Sequence, residues 1–154
     1  MKREVNPKAP VIERKEIEIK APVESVWKVL TDIKRWPEWQ ENVKSAKLKG
    51  KGEVAEGREF VWKAGGLSFH SQLHTVEPQQ AFGRTGKIMG AFAIHNWTLS
   101  EKKDNTIVTV EESLEGFFPS LMKKSFQKNL SAGMEKSLKE LKQASEGSTN
   151  KSNS

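Results

Sequence analysis

The chain reads as an α+β protein: a seven-stranded curved antiparallel sheet around a long C-terminal helix, with two short helices after the first strand. Three observations predict this. Within residues 119–143, Met122, Phe126, Leu130, Gly133, Met134, Ser137, Leu138 and Leu141 share one face at helical spacing. The middle of the chain is instead a series of short β-prone runs separated by Gly, Pro and Asn turns. Between the first strand-like run and that series lie only two short helical stretches. A helix rising about 35 Å needs a broad apolar surface to lie on, and the strands supply it.

The elements follow in order. Residues 1–10 are charged and Pro-containing and read as a flexible arm; 11–146 form one domain; 147–154 are a polar tail expected to be disordered. Over 16–20, Ile17 and Ile19 alternate with charge, the period of a half-buried strand. Ala21-Pro22 ends it, and Pro22 suits the first helical position because its missing N–H is not needed there. Val23, Val26, Trp27 and Leu30 then make one apolar helix face ending near Thr31. Pro37 forbids a helix running through Trp36, so a second short helix restarts there. Trp36 and Trp39, each able to bury about 150–250 Å², are expected to close one end of the core.

Strands are expected over 43–49, 58–63, 67–76, 81–88, 91–100 and 106–114. Their turns are Gly50-Lys51-Gly52, Gly65-Gly66, Glu77-Pro78 and Lys103-Asp104-Asn105. Short connections between consecutive strands make a meander. The final helix is expected to be continuous over 119–143. Gly133 lies inside its apolar stripe at a cost of about 1 kcal/mol relative to Ala. Close packing on the sheet, in preference to space for a ligand, is the expected compensation.

Composition narrows the function classes. With 26 Lys and Arg against 20 Asp and Glu the net charge is +6, but the signs are interspersed, which argues against a nucleic-acid surface. No apolar run reaches the ~20 residues of a spanning helix, and the N-terminus has no secretory apolar stretch. A cytoplasmic location is the default expectation. There is no cysteine, hence no disulfide and no thiol nucleophile, and there is no tyrosine. No phosphate-cradling glycine loop, nucleophile elbow or cofactor motif is present. His70, Gln72 and His74 fall on one strand face expected to meet solvent. The two histidines would stand about 13 Å apart, too far to share a metal, so no metal site is expected.

The segment Ile17-Glu18-Ile19-Lys20-Ala21-Pro22-Val23-Glu24-Ser25-Val26-Trp27 resembles the opening of the START-like, Bet v 1-like (SRPBCC) superfamily. Thr31-Asp32 followed by Trp36-Pro37-Glu38-Trp39 looks like its second short helix. His95-Asn96-Trp97-Thr98-Leu99 and the strand after it are similar to its polyketide cyclase/dehydrase and lipid-transport branch. The resemblance covers residues 12–143. It implies a helix grip, a sheet wrapped around the C-terminal helix with a cavity between, and a hydrophobic or amphipathic small molecule, lipid-like or aromatic, as partner.

Such a cavity would be lined by alternate strand residues and the helix stripe: Phe60, Trp62, Phe69, Leu73, Phe82, Trp97, Phe126, Leu130 and Met134. His95 shares a face with Trp97 and Leu99, so it is expected inside, where an imidazole could move protons or bond a carbonyl. Glu111 and Glu112 fall on opposite faces, so one also points inward; Arg58 and Arg84 are its possible partners. His95 and Glu112 are therefore the candidates for proton transfer. No motif maps onto the family's cyclases, so a non-enzymatic binder or carrier ranks first, a cyclase/dehydrase-type enzyme second and a protein-interaction module third.

Overall fold

The computed structural model describes residues 2–88 and 90–152, the last five of these as backbone alone. β1 (Val11–Ile19) leads to α1 (Val23–Thr31), a 3-10 turn (Ile33–Arg35) and α2 (Trp36–Trp39). The meander follows: β2 (Val43–Leu48), β3 (Glu59–Ala64), β4 (Leu67–Glu77), β5 (Ala81–Ile88), β6 (Ala91–Lys102) and β7 (Asn105–Glu115). α3 (Phe117–Leu121) and α4 (Lys123–Ser152) end the described chain. All seven strands form one antiparallel sheet in the order β1-β7-β6-β5-β4-β3-β2. The first strand therefore closes onto the last, and β1 and β2 are the two edges. α4 lies against β1 and α1.

Half of the inner sheet face is a filled core. Ile19, Val26, Leu30, Ile33, Phe60, Leu73, Phe82, Val108, Val110 and Leu141 are almost wholly buried there. Each such side chain contributes about 1.5–3 kcal/mol by leaving water. The aromatic contacts are edge-on: Trp36 meets Phe60 at 5.5 Å between centroids, and Trp27 meets Phe82 at 5.9 Å. The buried Thr106 hydroxyl donates to the Ala21 carbonyl at 2.8 Å, fixing the turn into α1.

Four local expectations are corrected. β1 starts at Val11 rather than Glu16. Its alternation is masked in the sequence because Glu13 and Lys15 take inward positions at the sheet edge, where Gln127 Nε2 donates to Glu13 at 2.8 Å. The final helix is two helices, broken at Met122, whose ψ of 48° is non-helical. α3 is pinned to the sheet end: the Phe118 ring lies over Gly90, and Gly116 takes a φ of 120° as it passes the Gly90 carbonyl. Met122 is consequently exposed and leaves the apolar stripe. α4 also runs past residue 143 into the segment read as a tail. The buried Leu141 and the Glu146 carboxylate, which accepts from Lys20 N–H at 2.9 Å, hold it to the start of α1. Met1, Asn153 and Ser154 lie outside the described residues.

The fourth correction concerns the outer sheet face. His74 is buried, not solvent-facing. A bulge after Leu73 resets the alternation of β4, and the N-terminal arm covers the site. Arg3 N–H donates to His74 Nδ1 at 3.1 Å, Asn96 Nδ2 donates to the Arg3 carbonyl at 2.8 Å, and Asn6 N–H donates to Ser113 Oγ at 3.0 Å. Gly83 lies under the imidazole, where a Cβ would sit 2.3 Å from His74 Cε1.

Candidate functional site

The other half of the inner face is left open. A cavity of about 630 Å³ lies between β3–β7, α2 and α4. Small residues at several inward positions of this end of the sheet leave room for it. Gly86 and Ala93 face each other across β5 and β6, Ile88 pairs with Ala91, and Ala64 ends β3. On the α4 side of the cavity, Gly133 has nothing beyond its chain neighbours and its own helix backbone within 4 Å of where a Cβ would stand. Gly133 thus serves space, which reverses the packing expectation.

The cavity wall includes Trp62, Phe69, Trp97, Phe126, Leu130 and Met134 of the nine side chains expected to line it. Phe60, Leu73 and Phe82 do not reach it. They sit at 0, 1 and 1 % exposure in the filled half, beneath Trp36, Trp27 and the helices after β1. Position along the strand decides between core and cavity: these three lie in the filled half and the other six on the chamber wall. Trp36 closes the core, as expected, and also contributes to the cavity wall.

One row of polar side chains crosses this apolar surface. Arg84 on β5 pairs in register with His95 on β6, and His95 pairs with Glu112 on β7. His95 Nδ1 lies 2.5 Å from Glu112 Oε1, and both side chains are largely buried. The imidazole pKa is lowered, first by burial and then by the Arg84 charge, against the opposing pull of Glu112. A neutral ring donates Nδ1–H to the carboxylate and leaves its lone pair on Nε2. That Nε2 is buried with no partner among the described residues, as is the indole Nε1 of Trp97.

Arg84 stands between two indoles. Its guanidinium carbon is 5.4 Å from the Trp36 ring centroid and 5.2 Å from that of Trp62. Those rings are themselves fixed. Trp36 Nε1 donates to the Leu30 carbonyl at 3.0 Å; Trp62 Nε1 donates to Ser71 Oγ at 3.0 Å and stacks on Phe69 at 4.4 Å. Burial lowers the Arg84 pKa to about 10, so the side chain remains a cation at neutral pH. Arg58, the other proposed partner of an inward glutamate, instead donates to the Lys51 and Glu53 carbonyls and closes the β2–β3 loop. Glu111 faces outward beside Arg14 at 3.2 Å. Among the described residues no group of three His, Cys, Asp or Glu could hold a metal, and no helix is long and apolar enough to cross a membrane.

The rim joins α4 to the α2–β2 connection. Lys136 Nζ pairs with Glu41 at 2.7 Å, and Glu41 N–H donates to Glu140 at 2.9 Å. The opposite rim carries Leu67, Ile88, Ala91 and Phe118. The arrangement is a mostly apolar chamber with one cationic, one neutral-imidazole and one carboxylate side chain in line on its wall.

A seven-stranded sheet gripping a C-terminal helix around such a chamber defines a START-like helix-grip protein. Residues 12–146 match the family described as polyketide cyclase / dehydrase and lipid transport, and the chain belongs to that family. No curated protein matches it. Among solved structures, a hypothetical protein of Helicobacter pylori is similar at a TM-score of 0.82 and 14% identity, over 94% of this chain and 98% of that one. A START superfamily protein of Mycobacterium smegmatis is similar at 0.76 and 15%, over 88% and 97%. The Zhui aromatase/cyclase of a Streptomyces species is similar at 0.76 and 11%, over 88% and 93%. At these identities the likenesses establish the fold alone.

Proposed function

We propose that the protein binds a hydrophobic or amphipathic small molecule, lipid-like or aromatic, in the chamber between sheet and α4. The observation that carries this is the chamber itself: about 630 Å³ of mostly apolar wall, within the ~300–1,000 Å³ typical of small-molecule sites. Family membership supports the same reading. A second reading, a cyclase/dehydrase-type enzyme, is favoured by the buried His95–Glu112 pair, in which the carboxylate orients the ring and Nε2 is free to accept a proton.

Titration with the uncharged fluorophore phenylnaphthylamine tests the first reading. It should bind saturably, one per chain, with quenching of tryptophan emission from Trp36, Trp62 and Trp97 at the wall. Absence of saturable binding would overturn it. His95→Gln separates the second reading: turnover of a poly-ketone substrate should vanish while fluorophore binding persists, and unchanged turnover would remove His95 from the chemistry.

A further inference from the structure

We propose that the chamber selects ligands bearing an anionic group, a carboxylate or an acidic enol or phenol, and that Arg84 receives it. This rests on the reading that the chamber binds a small molecule. Arg84 is half-buried on the chamber wall, and a guanidinium presents five N–H donors that seek acceptors. Among the described residues Arg84 has no carboxylate within ion-pair distance and no hydrogen-bond acceptor; its neighbours are the faces of Trp36 and Trp62. Aromatic faces attract the charge but leave the N–H groups without conventional acceptors.

The one carboxylate in the row does not meet that need. Glu112 is bonded to His95 Nδ1. It stands two strands from Arg84 and forms no ion pair with it, although its charge favours the cation against the effect of burial. The row therefore has direction: a cation on β5, a neutral imidazole on β6 and a carboxylate on β7. An anion is attracted at the β5 end and repelled at the β7 end. This places the acidic group of a ligand beside Trp36 and Trp62 and its apolar body toward Leu130 and Gly133 of α4. A purely structural Arg84, balanced at a distance by Glu112, makes the opposite prediction for the following comparison.

Anilinonaphthalene sulfonate shares the aromatic body of phenylnaphthylamine and adds one negative charge. Arg84→Met should weaken sulfonate binding by about tenfold or more beyond whatever change it makes in phenylnaphthylamine affinity. Equal changes for the two probes, or none, would overturn the assignment while leaving the binding reading intact. Failure of both probes to bind the unaltered chain would instead remove the binding reading. The unaltered chain supplies a second comparison that needs no variant: naphthaleneacetate should displace phenylnaphthylamine at lower concentration than its methyl ester does. Equal potency of acid and ester would contradict the proposal.

Discussion

Arg84 and His95 share a strand pair, and the charge of one is felt by the other. The guanidinium holds the imidazole pKa down, and Glu112 pulls it up. Two substitutions should therefore move His95 in opposite directions when its ring is titrated by NMR. Arg84→Met should raise its midpoint, and Glu112→Gln should lower it. A midpoint indifferent to both changes would mean that the row does not act as a unit. In the sequence His95 was expected inside, one of Glu111 and Glu112 was expected to join it, and Arg84 was one of two possible partners. Their alignment was not visible, because it depends on the register of two hairpins. The pairings of Lys102 with Asn105 and of Ile88 with Ala91 set that register, and counting outward from them brings Arg84, His95 and Glu112 opposite one another. The signal was present, but only when three strands are read together.

The arm of residues 2–10 is an element in its own right, though it has no regular structure beyond its turn. It lies over His74, Asn96 and Ser113 on the sheet's outer face, with the Arg3 guanidinium 5.2 Å from the Phe92 ring centroid. His74 Nδ1 accepts the Arg3 N–H and Nε2 meets Asn96 Oδ1 at 2.8 Å, a pattern that suits the neutral ring. Its pKa is lowered, chiefly by burial, as is that of His95. The unfolded chain therefore binds more protons near the ordinary value of 6.5, so stability present above that pH is lost as pH falls below it. Urea unfolding between about pH 8 and about pH 5 should show this fall. Removing residues 1–9 should lower stability by about 1–3 kcal/mol and make the acid-side fall shallower. A shortened chain with unchanged stability at both pH values would show that the arm contributes nothing. The charged arm resembled loose chain in the sequence because its partners are backbone and side-chain acceptors far along the sheet. The break at Met122 was hidden for a related reason: the apolar stripe continues across it, and the anchor is the distant Gly90.

At the scale of the whole molecule, the meander of consecutive strands and the presence of a long C-terminal helix followed from periodicity and turn residues, whereas the pairing of β1 with β7 did not. These are local signals, and the family match over residues 12–146 agrees with them. Whether the interior is filled or open is a sum over many side chains, which no single residue announces. Large inward residues, Phe60, Leu73 and Phe82, occupy one half; Gly86, Ala91 and Ala93 occupy the other. That partition is readable only once strand positions are fixed in space. The +6 net charge contributes solubility and says little about the chamber, whose wall carries the charges of Arg84 and Glu112 while most other charged groups lie outside it.

Gly133 is where the account is most exposed, because its apparent defect in α4 is explained by open space. Gly133→Ala should raise stability by up to about 1 kcal/mol, the helix-propensity gain without a clash. The decisive variant is larger. The affinity of Gly133→Phe for phenylnaphthylamine, measured by fluorescence titration, should fall by about tenfold or more in a chain that unfolds no more readily than the original. A folded Gly133→Phe protein that binds the fluorophore as tightly as before would contradict a ligand chamber between the sheet and α4.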